Sequence, residues 1–147
     1  MSEQTRDPDL YGDDATVARL LRDTAVWVVA GLSQDQERAA YGVARVLQSH
    51  GKRIVPVHPR AQEVHGETGY STVADAAFAV GPIDVVDCFV NSRRVGEVVD
   101  AAIAVGAKAV WMQLDVIDED AARRARAAGL DVVMDRCPAI EIPRLSL

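Results

Sequence analysis

The stretch best suited to chemistry runs from Gly31 to Tyr41. Gly31-Leu32-Ser33 follows the apolar run AVWVVA that ends at Ala30, and Ala40, Val43, Ala44 and Leu47 then recur at helical spacing up to Gly51. A strand buried on both faces, a glycine turn and a helix bring backbone N–H groups and the positive end of a helix dipole to one point. An anion binds there, most often a phosphate, and the expected ligand is a phosphorylated, adenine-containing molecule. Arg38 and Tyr41 stand one helical turn apart at the start of that helix, placed to reach a pyrophosphate or simply to cover the sheet edge. The three-glycine dinucleotide fingerprint is incomplete, because only Gly31 is present. Taken alone, Gly31 reads equally well as an ordinary tight turn.

The next informative position is the end of the second apolar segment, Lys52 to His58 (KRIVPVH), which runs into Pro59 and Arg60. An NAD-binding fold places an acid there for the ribose diol. Arginine suits a ribose phosphate instead, the 2′-phosphate of NADP or the 3′-phosphate of CoA, unless it is a solvated loop charge. No catalytic set emerges. His50, His58 and His65 have no paired nucleophile at a telling spacing, and Asp84, Asp87 and Asp115 are scattered over strand ends. No metal-ligand cluster is visible. Cys88 reads as a small core residue. Cys137 follows the last strand beside Arg136, a cation able to lower a thiol pKa.

These residues are held by an alternation of strands and helices. Residues 1–14 lack periodicity and are expected to form a flexible arm, with one domain over 15–147. A short helix over Thr16–Arg22 packs Val17, Leu20 and Leu21. Strands are expected at the AVWVVA run, at KRIVPVH, at Asp84–Val90, at Lys108–Leu114 and at Asp131–Met134. Pro56 argues for an edge position or a bulge in the second of them. Thr72 and Asp75 form a capping-box pattern before a helix that ends near Gly81-Pro82, Val95 to Ile103 lies on a helix that stops at Gly106, and Asp118 can cap a helix ending at Gly129. The pattern predicts an α/β fold: a Rossmann-like, doubly wound parallel sheet whose ligands bind outside the carboxyl ends of the strands.

Composition narrows the partners. The chain has 147 residues, 49% of them hydrophobic, a net charge of −6 and two cysteines. One domain with a real core is expected. The acidic balance without a basic cluster disfavours nucleic acid, no apolar run approaches bilayer length, and cytoplasmic residence is the default expectation. Two cysteines are too few for a disulfide scaffold or a zinc site.

With these positions assembled, the chain resembles the stand-alone CoA-binding proteins, which are similar to the CoA-binding domain of the succinyl-CoA synthetase alpha subunit. The resemblance covers roughly residues 15–145 and rests on VVAGLSQDQERAAYGVARVLQSHG, IVPVHPRAQEVHGETGYSTVADA, IDVVDCFV, GAKAVWMQL and AGLDVVMDRCPAIEIPRL; WMQL and MDRC are its most specific parts. It implies that Gly31, Ser33, Arg38 and Tyr41 hold phosphates and that Val57, Pro59 and Arg60 contact the adenosine. It implies further that Phe89, Val90, Met112 and Gln113 line the pantetheine side and that Cys137 lies near the cofactor. The thiol is then expected either to form a mixed disulfide with CoA under oxidising conditions or to be a buried structural thiol. The chain departs from the family pattern at Ala39-Ala40, where proline and serine are common, at Asn91-Ser92 ahead of Arg93-Arg94, and at Asp115, where glycine is usual. The synthetase's phospho-histidine domain has no counterpart, so ligase activity is not implied.

The expected function is therefore a module that binds CoA or acyl-CoA without catalysis of its own. An NADP-dependent reductase, or a regulatory subunit that senses CoA through a protein partner or as a homo-oligomer, are the alternatives.

Overall fold

A computed structural model describes residues 6–147. Five parallel strands, β1 (Val26–Ala30), β2 (Arg53–Val57), β3 (Val85–Cys88), β4 (Ala109–Met112) and β5 (Asp131–Val133), form one sheet in the order β2-β1-β3-β4-β5. Helices α2 (Asp14–Arg22), α3 (Ala39–Ser49) and α7 (Pro138–Arg144) cover one face; α1 (Pro8–Tyr11), α4 (Val73–Val80), α5 (Val95–Ala104) and α6 (Glu119–Ala127) cover the other. This is the expected doubly wound Rossmann-like architecture. The chain runs outward from β1 to β2, then returns to β3 on the other side of β1, so the topological switch point falls between β1 and β3.

The continuous apolar strands reflect burial on both faces. Val28, Val55, Val86, Val110 and Met112 pack towards α4, α5 and α6; Trp27, Val29, Ile54, Val85 and Trp111 pack towards α2, α3 and α7. The two buried indoles lie 5.6 Å apart, and each donates its N–H: Trp27 to the Thr24 hydroxyl at 2.8 Å and Trp111 to the Arg136 carbonyl at 2.8 Å. The helix signals act as expected. The Thr72 hydroxyl accepts from the Asp75 N–H at 3.0 Å, and Asp118 accepts from the Ala121 N–H at 3.0 Å. Pro56 lies on the edge strand β2, as its missing N–H requires. The outer side of that edge is covered by Tyr70, which donates to the Pro56 carbonyl at 2.9 Å and accepts from the His58 N–H at 3.0 Å.

The arm expected over residues 1–14 is described only from residue 6 onward. Residues 1–5 lie outside the described residues. Residues 6–14 are docked on the domain: Asp7 caps α1, Pro8 opens it, and Leu10 and Tyr11 are buried against the core. The Tyr11 hydroxyl donates to Glu119 at 2.7 Å, and the Arg136 guanidinium donates to the carbonyls of Tyr11 and Gly12 at 3.0 and 2.9 Å. A stretch too short for periodicity is thus fixed by tertiary hydrogen bonds. Helix α7, which no periodic signal announces, is held the same way: Arg144 bridges the buried Glu141 at 2.8 Å and Asp14 at 2.6 Å. Among the described residues no helix is long and apolar enough to cross a membrane.

Candidate functional site

The carboxyl ends of the strands continue as a hydrogen-bonded row beyond the regular sheet. The Gly31 N–H donates to the Val57 carbonyl at 2.7 Å, Phe89 to Ala30 at 2.8 Å, Gln113 to Cys88 at 3.3 Å and Arg136 to Met112 at 3.3 Å. This row floors a cleft of about 870 Å³ at the switch point, within the range of small-molecule sites. Of the residues expected at the site, Gly31, Ser33, Arg38, Val57, Pro59, Phe89, Val90, Gln113 and Cys137 line it.

Three expected residues are not brought to its wall. Tyr41 turns its ring onto His65, with centroids 4.3 Å apart, while His65 Nε2 lies 2.8 Å from the Tyr41 carbonyl. Met112 is fully buried among α4, α5 and α6, because strand alternation points it away from the α3 side. Arg60 stays exposed on the rim, its backbone N–H donating to His58 Nδ1 at 3.2 Å. Asp115 also lies off the cleft wall. Its φ of +68° explains why glycine is usual there, and its N–H donates to Asp135 at 2.7 Å.

Several further residues line the cleft, among them the strand-end residues His58, Asn91 and Arg94, which the resemblance does not assign to the ligand. His58 and the Ser71–Val73 turn before α4 come from the β2–α4 connection; Asn91, Arg94, Val98 and Ala101 come from α5 and its approach. Asn91 shapes that approach by accepting the N–H groups of Arg93 and Arg94 at 3.0 and 3.1 Å. Val98 belongs to the apolar helix face expected over Val95, Val98, Val99, Ala102 and Ile103, whereas Ala101 lies outside that set.

The electrostatics are divided. At the β2 end, His58 is held below its ordinary pKa by burial and then by the positive charges of Arg60 and Arg38, so three basic groups converge there. Next to them α3 begins at Arg38 without a side-chain cap, unlike α2, α4 and α6. Its first N–H groups and dipole are left to meet an anion. Loop Gly31–Arg38 is braced from outside: the Gln34 N–H donates to Gln62 Oε1 and its side-chain amide to the Glu63 carbonyl, both at 2.9 Å. Towards β3 and β4 the wall turns mostly apolar, with Phe89, Val90, Val98, Leu114 and Val116 interrupted by Arg94, Glu97 and Gln113.

Cys88 is the core thiol expected: fully buried, its pKa raised by burial and secondarily by Asp87. Cys137 lines the cleft at 8% exposure. The neighbouring Arg136 guanidinium is engaged elsewhere: it donates to the carbonyls of Tyr11 and Gly12 and to Glu141, the last at 3.0 Å. Among the described residues no cluster of His, Cys, Asp and Glu suits a metal ion.

Comparison with known proteins follows from this geometry. Residues 25–143 match the family model described as CoA binding domain. A hypothetical protein from Pyrococcus horikoshii OT3 superposes with a TM-score of 0.86 at 35% identity, over 97% of this chain and 98% of that one. The uncharacterized protein YneT of Bacillus subtilis is 28% identical over 84% of this chain and 89% of its own length. The dinucleotide-forming acetyl-coenzyme A synthetase 1 of Ca. Korarchaeum cryptofilum aligns over 81% of this chain but only 28% of its own, with a TM-score of 0.66 and 26% identity.

Proposed function

The chain belongs to the CoA-binding domain family, and on that premise we propose that it binds coenzyme A or an acyl-CoA along the carboxyl edge of its sheet and carries out no chemistry of its own. The observation that supports this most is the division of the cleft. Its basic end, at Arg38, His58 and the rim residue Arg60, adjoins the uncapped start of α3; its other half is mostly apolar, with Asn91, Arg94, Glu97 and Gln113 as the polar side chains. CoA has the same division, with phosphates at the nucleotide end and a long, weakly polar arm. The donor set fits: guanidinium groups and free backbone N–H groups bind phosphate by charge-assisted hydrogen bonds, and Gln113 supplies an amide beside the arm. Gly31 and Ser33 contribute backbone and hydroxyl to the phosphates, while Val57 and Pro59 flank the adenosine. Phe89, Val90 and Cys137 border the arm. Tyr41 acts only indirectly, by holding His65, and Met112 only by supporting the floor.

The test is to denature the purified protein and identify released small molecules by mass spectrometry. CoA or an acyl-CoA in near-stoichiometric amount supports the reading. A protein that retains NADP and cannot be loaded with CoA contradicts it.

A further inference from the structure

Among the described residues, two buried side chains at and below the cleft floor carry polar atoms with no hydrogen-bond partner: both carboxyl oxygens of Asp87, and Oε1 of Gln113. Asp87 is fully buried and Gln113 is 5% exposed. Both stand on the α3 face of neighbouring strands. Along β3, Val85 packs on that face and Val86 and Cys88 on the other, so alternation places Asp87 with Val85. Along β4, Trp111 packs on that face and Met112 on the other, so Gln113 follows Trp111. Asp87 is in register with Trp111, and the Gln113 N–H continues the ladder to Cys88. Gln113 is therefore the diagonal neighbour of Asp87, one layer closer to the ligand, a separation that long side chains span.

The chemistry of the two groups is complementary. A carboxylate at the site of Asp87, with no hydrogen-bond donor to it among the described residues, carries a large desolvation cost. Burial therefore favours the neutral acid, which has an O–H to donate. Gln113 Oε1 is an acceptor with no donor. No hydrogen bond joins them directly, and buried polar groups on the same face of neighbouring strands, left without a direct partner, are what an ordered water bridges.

Resting on the CoA reading above, we propose that Asp87 is a positioning residue for the ligand: its neutral carboxyl donates, through one ordered water, to Gln113 Oε1. The amide is thereby fixed with Nε2 as the end that meets the cleft, a donor to a carbonyl of the pantetheine arm. Asp87 itself touches no ligand atom.

The test is a double-mutant cycle read as CoA affinity by calorimetry, with folding checked by circular dichroism. D87V removes the donor and should weaken CoA by about 3- to 10-fold, the worth of one neutral hydrogen bond. Q113A should weaken it similarly. D87N keeps an N–H donor and should stay within about twofold of wild type. In the Q113A background D87V should add no further loss. An equal loss from D87V in both backgrounds would show a merely structural role and overturn the proposal, as would D87V binding like wild type. D87A serves the same cycle where D87V does not fold. Wild-type protein that binds no CoA would overturn the functional reading and this proposal together; wild-type binding indifferent to D87V overturns this proposal alone.

Discussion

Gly31 and Phe89 meet backbone to backbone where β1 and β3 diverge: a Cβ on Gly31 would overlap the Phe89 carbonyl oxygen. Gly31 also holds a φ of +98°, a region that L side chains rarely adopt. The turn that opens the cleft thus depends on glycine for two separate reasons. Gly31→Ala should lower stability by roughly 1–3 kcal/mol from backbone strain, with the overlap adding to it. Urea unfolding checks this; an unchanged midpoint would contradict it.

His58 gives the site a pH dependence. Burial, Arg60 and Arg38 hold its pKa below the ordinary value in the free protein. A bound phosphate opposes those cations and favours the imidazolium, so binding takes up a proton and affinity should rise as pH falls through the His58 range. Dephospho-CoA is the suitable ligand, because its pyrophosphate keeps its charge between about pH 5 and 8. Calorimetry should show tighter binding at the acid end, and His58→Gln should flatten the profile. A wild-type profile already flat contradicts the assignment.

Asp87 gives the fold a different pH dependence. Burial raises its folded pKa well above that of the unfolded chain. Between those two values the native state holds a proton that the unfolded state has lost. Stability is therefore full below the unfolded pKa, near 4, and falls as pH rises towards the folded value, by at most about 1.4 kcal/mol per unit for this one group. Asp87→Asn removes the titration and should flatten this decline, most visibly as a higher melting temperature under mildly alkaline conditions. A variant that declines with pH as steeply as wild type contradicts the reading.

The two thiols should differ in reactivity. Cys137 lines the cleft, whereas Cys88 is sealed in the core. A thiol reagent under native conditions should modify Cys137 alone, and saturating CoA should slow the reaction, as intact mass and peptide mapping will show. Modification of Cys88 first, or a rate indifferent to CoA, contradicts the placement of the ligand.

The sheet and most of its helices were legible because their signals are local. Apolar runs bounded by Gly31, Gly51, Gly106 and Gly129, the caps at Thr72 and Asp118, and Pro56 each act over a few residues. What could not be read depends on distant partners. Leu10 and Tyr11 are fixed by Arg136 and Glu119, and α7, which carries Pro143 inside it, by Asp14. At the site, a strand apolar on both sides hides which way each residue points, so nothing local opposes the placement of Met112 at the ligand that the resemblance implies, although Met112 faces the core. Tyr41 has the right spacing from Arg38, but its orientation is set by His65, which lies outside its own helix. His58 was visible as a strand end. Its importance emerges only when Arg38 and Arg60 are brought beside it.

The central claim is that this cleft takes CoA in preference to a nicotinamide dinucleotide, and calorimetry with CoA, dephospho-CoA, NAD and NADP tests it most directly. CoA should bind, dephospho-CoA more weakly, and NAD and NADP without measurable heat, since the first loop has only Gly31 of the fingerprint glycines. Arg60→Ala should narrow the gap between CoA and dephospho-CoA by about 1 kcal/mol, roughly fivefold in affinity. Saturable binding of NADP with none of CoA would contradict the account.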